Sequence, residues 1–173
     1  KYKVVGGLRF YERKEIKDAL AYFKLLINKS DNLSFERIIN LPKKSIGPST
    51  IKKLYEISKK EKTNLYEAIK IGIKNKSFTS TIEKNFSQFL IIIDKHTHML
   101  ESTPHSDVAG SLLDDSGYSD MLQKEKTPEA EGRLENLKKL VIDIRNRNSL
   151  NEFLEEVSLL TDTLDDNKVA SKI

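Results

Sequence analysis

Apolar residues recur along most of this chain every three or four positions, the period of an α-helix that packs through one face. Between residues 12 and 28 they occupy positions 16, 19, 20, 23 and 27. A longer run from Ile82 to Leu100 predicts a central core helix. Only Tyr2 to Val5 favours a strand, which the pair Gly6-Gly7 would close as a turn. The pattern therefore predicts a mostly α fold, a compact multi-helix subdomain with one short N-terminal strand.

Capping side chains and chain breakers mark the expected helix ends. Ser34, Asn64, Ser80 and Ser149 are the predicted caps of four helices, and Thr127 precedes a proline that suits a first helical position. Gly117 is expected to end another helix. The predicted helices cover 12–28, 35–40, 49–60, 64–74, 80–101, 108–115, a stretch from 128 past 144, and 149–160. The polar tail after Thr161 is expected to be frayed or disordered.

The charge of the chain is unevenly divided. The 173 residues carry a formal net charge of +4. Residues 1–76 hold 19 basic and 8 acidic side chains, a net charge of +11, whereas residues 77–173 hold 11 and 18, a net charge of −7. A basic surface of this size attracts polyanions, nucleic acid first among them. Composition alone leaves open the alternative of a lysine-rich surface that is merely solvated.

Several classes of chemistry are not expected. The chain has no cysteine, which excludes disulfides and thiolate zinc sites. Its longest apolar run, 89–93, is too short for a membrane span. None of the seven glycines begins a phosphate loop or a dinucleotide-binding turn. His96 and His98 point to different sides of a helix and cannot share a metal ion. We therefore predict no catalytic, ATP-binding or metal-binding residue within this chain.

The loop from Pro42 to Thr50 has the features of a phosphate-binding element. It combines an apolar anchor, a glycine, two lysines and a helix start, where backbone N–H groups and a hydroxyl can meet an anion. A β-carbon at Gly47 is expected to obstruct the turn or the approaching phosphate. Lys17 and Lys24 lie two turns apart on one face of the first helix and suit a phosphate backbone. Gly-Pro followed by Ser or Thr also starts many helices that bind no ligand, so both interpretations stay open.

Longer blocks of sequence resemble the UvrD/PcrA-like superfamily 1 DNA helicases. The first block, Val4 to Asp18 followed by Ala21-Tyr22, is similar to the family motif V-x-G-G-x-R-F-[FY]-E-R-x-E-I-K-D. Further blocks stand in the family's order: Phe35-Glu36-Arg37-Ile38-Ile39-Asn40-x-Pro42, Ile46-Gly47-x-x-Thr50, Ser116-Gly117-Tyr118 with Leu122, Arg133-Leu134-Glu135-Asn136-Leu137, and Phe153-Leu154.

This resemblance implies the inserted 2B subdomain of an ATP-driven 3′-to-5′ DNA helicase, an ATP hydrolase that uses Mg²⁺ in the intact protein. Residues 1–11 would be a strand and turn from the end of the 2A motor segment, 12–161 the helical 2B subdomain, and 162–173 a polar tail or linker back to the motor lobe. The expected partners are double-stranded DNA, the subdomains 1A, 1B and 2A of the same chain, and a DNA-repair protein. We expect a piece of a larger cytoplasmic, bacterial, nucleoid-associated protein.

Carried over by position, the family's contacts with the duplex backbone fall on five residues: Lys17, Lys24, Ile46, Gly47 and Thr50. The loop cation Lys44 completes the predicted DNA-binding set of six. The chain departs from the family at Lys44-Ser45, where Arg-Gly is usual. This change keeps the charge, loses the bidentate grip of arginine on phosphate and adds a side chain at Ser45. The alternative function is a protein-interaction or autoinhibitory module, in which the acidic half, especially the helices after Thr127, docks a repair partner or the helicase's own motor.

Overall fold

The structure is a computed structural model that describes the backbone of residues 7–170 and the side chains of residues 7–162. The described part contains helices and no strand, which confirms the mostly α fold class. The predicted strand at residues 2–5 lies outside the described residues. The helices are α1 (Gly7–Glu12), α2 (Lys14–Ile27), α3 (Asn32–Ile38), α4 (Pro48–Glu61), α5 (Leu65–Lys74), α6 (Ser80–Met99), α7 (His105–Asp115), α8 (Tyr118–Glu125), α9 (Pro128–Arg145) and α10 (Leu150–Ala170).

The core is organised around α2. This helix packs against α1, α3, α6, α7, α9 and α10, and most of its residues are buried. The prediction that the helix starting near Ser80 is central was wrong, because α6 packs mainly against α2, α5 and α7 and buries only four side chains. Aromatic residues fill the space between helices, as where the rings of Phe35 and Phe89 meet edge to face at 5.9 Å.

The helix predicted over 12–28 is confirmed as α2, which begins two residues later than expected. Arg13 has an extended backbone (φ −67°, ψ 143°) and separates α1 from α2. The predicted strand-and-turn segment is therefore helical from Gly7 onwards. The break allows α1 to pack on α10 while α2 lies in the core. In this arrangement the buried ring of Tyr11 lies beside the ring of Phe153.

Other differences between prediction and structure concern helix ends. In α3 and α6, the capping residue lies near the predicted one in the sequence but is not the same residue. Asp31, not Ser34, caps α3 by accepting a hydrogen bond from the Ser34 N–H at 3.0 Å. Thr79, not Ser80, caps α6. The sequence analysis missed α8, which follows the left-handed Gly117 at φ 87°. Helix α7 begins earlier than expected, and α10 continues to Ala170 instead of fraying after residue 161.

Three other boundaries were predicted correctly. Asn64 caps α5 and Thr127 caps α9, each through a side-chain oxygen that accepts a backbone N–H bond. Ser149 does the same for α10, with its hydroxyl 3.1 Å from the Glu152 nitrogen. Within residues 7–170, no helix combines the length and the apolar character needed to cross a bilayer.

Buried polar bonds join the separate blocks of the family-like motif. The carboxylate of Glu15 accepts hydrogen bonds from Arg13 Nε at 3.0 Å and Asn136 Nδ2 at 2.8 Å. Burial raises the pKa of Glu15, but these bonds outweigh it and the pKa is lowered on balance. The hydroxyl of Tyr11 donates to Asp143, 132 positions away. These motif residues therefore stabilise the fold.

Candidate nucleic-acid interface

The exposed side of α2 carries two of the predicted site residues. Lys17 and Lys24 are exposed, whereas their neighbours Asp18, Ala21 and Phe23 are buried. The two lysines are seven residues apart, about 10.5 Å along the helix axis. Among the side chains of residues 7–162, neither lysine forms a salt bridge. Both ammonium groups are therefore available to an anion from solution.

Lys17 and Lys24 border a recess of about 520 Å³ between α2, α3 and α10. Arg37 adds a third cation to the lining, and Asp162 contributes a carboxylate. The remaining lining residues are Tyr11, Leu20, Ala21, Leu33, Ser34, Val157, Ser158 and Thr161. The recess is thus basic along its α2 and α3 sides.

Arg37 is held in place by the buried carboxylate of Asp18. Its Nε donates to Asp18 Oδ1 at 2.8 Å, and the Tyr118 hydroxyl donates to Oδ2 at 2.7 Å. Burial, and then the hydrogen bond to the carboxylate, raise the pKa of Tyr118. Sequence reasoning did not identify Arg37 as a site residue, although it lies in one of the family-like blocks. Its charge alone could not indicate which helix it would face.

The predicted hairpin loop is fixed by two asparagines. The side-chain oxygen of Asn40 accepts the N–H groups of Lys44 at 2.6 Å and Ile46 at 3.3 Å. Asn85 on α6 donates to the Lys44 carbonyl at 2.7 Å. Ile46 is buried and anchors the loop in the core. Its N–H is used within the fold, so Ile46 acts as an anchor rather than as an exposed donor.

Lys44 points back towards its own loop. The ammonium donates to the Pro42 carbonyl at 2.9 Å, and burial lowers the pKa of Lys44 to about 8. The next residue, Ser45, has φ 62°, in the left-handed region that favours glycine. This conformation is a physical reason for the glycine that the family usually has there.

Gly47 and Thr50 lie at the start of α4. Gly47 is the N-cap, with φ −99° and ψ −173°, and a β-carbon there would meet nothing within 4 Å. A β-carbon at Gly47 would therefore not obstruct the turn, because any residue adopts this backbone. That it would obstruct an approaching phosphate stays a prediction. Thr50 is buried, with 7% of its surface exposed. Gly47 consequently offers an open approach to the helix start, and Thr50 a more restricted one.

The hairpin borders a second recess, of about 600 Å³, between α3 and α4. Its lining includes Gly47, Pro48, Lys52 and Tyr55, with Glu36 as the carboxylate. Lys17 and Lys24 do not line it. The structure thus places Lys17 and Lys24 at one recess and Ile46 and Gly47 at another, with α3 as a shared wall, whereas Lys44 and Thr50 line neither of these two recesses.

The histidines do not form a metal centre. His96 is buried and its Nε2 lies 3.2 Å from Asp115 Oδ2, whereas His98 on the same helix is exposed. In the described part of the chain, no group of three or more His, Asp or Glu residues is arranged to hold a metal ion.

Replacing Lys44 by methionine should stabilise the fold at neutral pH. The folded state depresses the pKa of this lysine from 10.5 to about 8, so burying the ammonium costs free energy below pH 8. That cost disappears as the pH rises from about 8 to 10.5, where the folded state releases its proton first. At pH 7 we expect Lys44→Met to raise the free energy of unfolding by about 1–2 kcal/mol, after subtracting the lost Pro42 bond.

The measurement is urea denaturation of wild type and variant at pH 7 and pH 10. The advantage of Lys44→Met should shrink or reverse at the higher pH. The exposed Lys43→Met serves as the control and should show no such change. A difference between Lys44→Met and wild type that is the same at both pH values would contradict the buried position of the ammonium.

The family model and the relatives that this chain matches are all described as helicases. The whole chain, residues 1–173, matches the family described as the UvrD-like helicase C-terminal domain. DNA helicase II of Rickettsia typhi is 40% identical over 160 residues, 92% of this chain and 24% of the relative. ATP-dependent DNA helicase PcrA of Staphylococcus epidermidis is 35% identical over 173 residues, 93% of this chain and 23% of the relative. The chain spans about a quarter of the length of these curated relatives.

Proposed function

Because this chain belongs to the UvrD-like helicase C-terminal domain family, we propose that it forms the 2B subdomain of an ATP-dependent 3′-to-5′ DNA helicase. In this role it binds the phosphate backbone of duplex DNA without sequence preference and regulates unwinding. The intact protein would hydrolyse ATP with Mg²⁺ in its motor subdomains 1A and 2A. The chain itself has no phosphate loop and contributes no catalytic residue.

The observation that carries the proposal is the exposed pair Lys17 and Lys24 beside Arg37. Lysines that lie two turns apart on a rigid helix can each neutralise a phosphate, while the recess between them accommodates the backbone. The open approach at Gly47 and the uncapped first turn of α4 support a further phosphate contact at the hairpin. Contacts of this kind position a duplex but do not read its bases.

The proposed mechanism uses binding alone. Cations on α2 and the hairpin hold the duplex, and the buried bonds of Asp18 keep α2, α3 and α8 together so that these groups move as one body. A duplex held in this way is presented to the motor subdomains in a fixed orientation. The setting we propose is the bacterial cytoplasm, on nucleoid DNA.

A second role, docking of a protein, is supported by a different surface. An apolar recess of about 500 Å³ lies between α7, α8 and α9, in the acidic half of the chain. Leu134, Leu137 and Val141 line it together with Ile142, which is 51% exposed. A repair partner or the helicase's own motor could use this surface while α2 binds DNA, so the two roles are compatible.

The test measures the binding of duplex DNA by fluorescence anisotropy at several salt concentrations. Each phosphate contact releases counterion, so log K should fall with log salt by about 0.9 per contact. Lys17→Ala and Lys24→Ala should each weaken binding to all sequences alike and reduce that slope by about one. Lys138→Ala removes an exposed lysine from α9 that pairs with Glu135 at 3.1 Å, and it should change neither quantity.

Two results would contradict the proposal. One is an affinity that stays the same between about 50 and 200 mM salt, because phosphate binding is salt-dependent. The other is a strong preference for one DNA sequence, since phosphate contacts carry no sequence information.

A further inference from the structure

The outward side of α4 carries four lysines in two pairs. Lys52 and Lys53 are exposed, as are Lys59 and Lys60 two turns further along the helix. We refer to these four residues as the α4 lysine face. Glu56 is the acidic residue exposed between the two pairs. None of the six residues proposed as DNA contacts belongs to this face.

The cations of the α4 lysine face are not neutralised by the fold. Among the side chains of residues 7–162, none of the four forms a salt bridge, and Lys53 donates only to the Ser77 carbonyl, at 2.9 Å. Some exposed lysines on other helices do have acidic partners, as Lys124 has Asp120 and Lys138 has Glu135. A cluster of unpaired cations repels itself, and this repulsion is relieved when an anion binds.

The face continues directly from the hairpin. Lys52 lines the same recess as Gly47 and Pro48, between α3 and α4. From Gly47 the helix axis runs about 18 Å to Lys59, at 1.5 Å per residue. That length corresponds to about five base pairs of B-DNA at 3.4 Å each. The two lysine pairs are about 10.5 Å apart along the same axis, a distance that corresponds to about three base pairs.

From this placement we infer that the α4 lysine face is a second phosphate-binding surface, which follows duplex DNA for about five base pairs beyond the hairpin. The inference rests on the proposed function, because the hairpin must hold the duplex for α4 to extend its path. Duplex is the expected occupant, since a straight, rigid row of cations matches a stiff helix with phosphates at fixed spacing. The long lysine side chains can reach phosphates on both sides of one groove.

The first experiment removes the four charges together. Lys52→Ala, Lys53→Ala, Lys59→Ala and Lys60→Ala in one chain should weaken binding to a duplex of about 20 base pairs by about 10- to 100-fold. The slope of log K against log salt should fall by about two to four. The matched control replaces Lys124, Lys126, Lys138 and Lys139 by alanine, which gives the same net charge. Circular dichroism should show that both variants remain folded, because every replaced side chain is exposed.

The second experiment uses the absence of cysteine from the chain. Lys60→Cys introduces a single thiol that can carry a photo-crosslinker, and Lys139→Cys gives the matched control on α9. Crosslinks to the duplex are expected from position 60 and not from position 139.

The outcomes separate the two proposals. If the α4 variant binds as the control does while Lys17→Ala and Lys24→Ala weaken binding, the α4 inference is wrong and the proposed function stands. If the wild-type chain does not bind duplex at all, the proposed function fails as well. A loss of binding to single strands that exceeds the loss for duplex would overturn duplex DNA as the occupant.

Discussion

Replacing Asp143 by alanine is expected to lower the free energy of unfolding by about 3–5 kcal/mol, because it leaves the buried Tyr11 hydroxyl without its acceptor and removes one of the two carboxylates that pair with the buried Arg147. Asp143 accepts the Tyr11 hydroxyl at 2.5 Å and lies 3.5 Å from Arg147 Nη1. The Arg147 side chain is 1% exposed, and its other bond goes to Glu156 on α10 at 2.5 Å. The substitution would therefore disturb the contact of α1, α9 and α10 at once.

Urea denaturation followed by circular dichroism gives the measurement. The control is Asp120→Ala, which removes an exposed carboxylate that pairs with Lys124 at 2.9 Å. We expect the control to change stability by less than about 0.5 kcal/mol, since exposed pairs contribute little. A loss below about 1 kcal/mol for Asp143→Ala would show that the cluster does not stabilise the fold.

Asp18→Ala is expected to destabilise the protein by about 2–4 kcal/mol, for a related reason. The variant removes the acceptor of both Arg37 and Tyr118, and the hydroxyl of Tyr118 is left buried without it. Arg37 would also lose the contact that holds it beside Lys17 and Lys24. We therefore expect the variant to lose duplex affinity even at temperatures where it is still folded.

The matched control for Asp18 is Asp94, which accepts a hydrogen bond from Tyr66 at 2.6 Å but is exposed. Asp94→Ala also removes the acceptor of a tyrosine hydroxyl, but the carboxylate it removes is exposed and, among the side chains of residues 7–162, hydrogen-bonds the tyrosine alone, whereas Asp18 also binds Arg37. Asp94→Ala is expected to lower the free energy of unfolding by about 1 kcal/mol or less. Equal losses for the two variants would mean that burial of Asp18 has no special part in stability.

The pattern of the sequence predicted much of the local structure. Caps at Asn64 and Thr127 follow from side chains that bond to the nearest turn, and the end of α7 before Gly117 follows from the positive φ that glycine adopts readily, so a few residues contain the whole signal. The exposure of Lys17 and Lys24 follows from their residue type, because a lysine ammonium is rarely buried without a partner. The family-like blocks likewise indicated the family, because they are long and stand in order.

The sequence did not predict what the polar residues of those blocks do. Glu15 and Asp18 are carboxylates on a helix, and such side chains are ordinarily exposed. Both are buried, because donors a hundred or more positions away in the chain, Asn136 and Tyr118, reach them. A pattern with a period of a few residues contains no information about such distant partners.

The candidate site likewise combines features that the sequence predicts with features that only the tertiary structure decides. Its residue types and its basic charge were evident in the sequence, because charge and hydrogen-bonding capacity belong to individual residues. The inward direction of the Lys44 ammonium, the central place of α2 and the position of Arg37 beside the exposed lysines were decided by the tertiary structure alone. Each depends on which helices pack together, and that packing is a property of the whole chain, set by the burial of many apolar side chains at once.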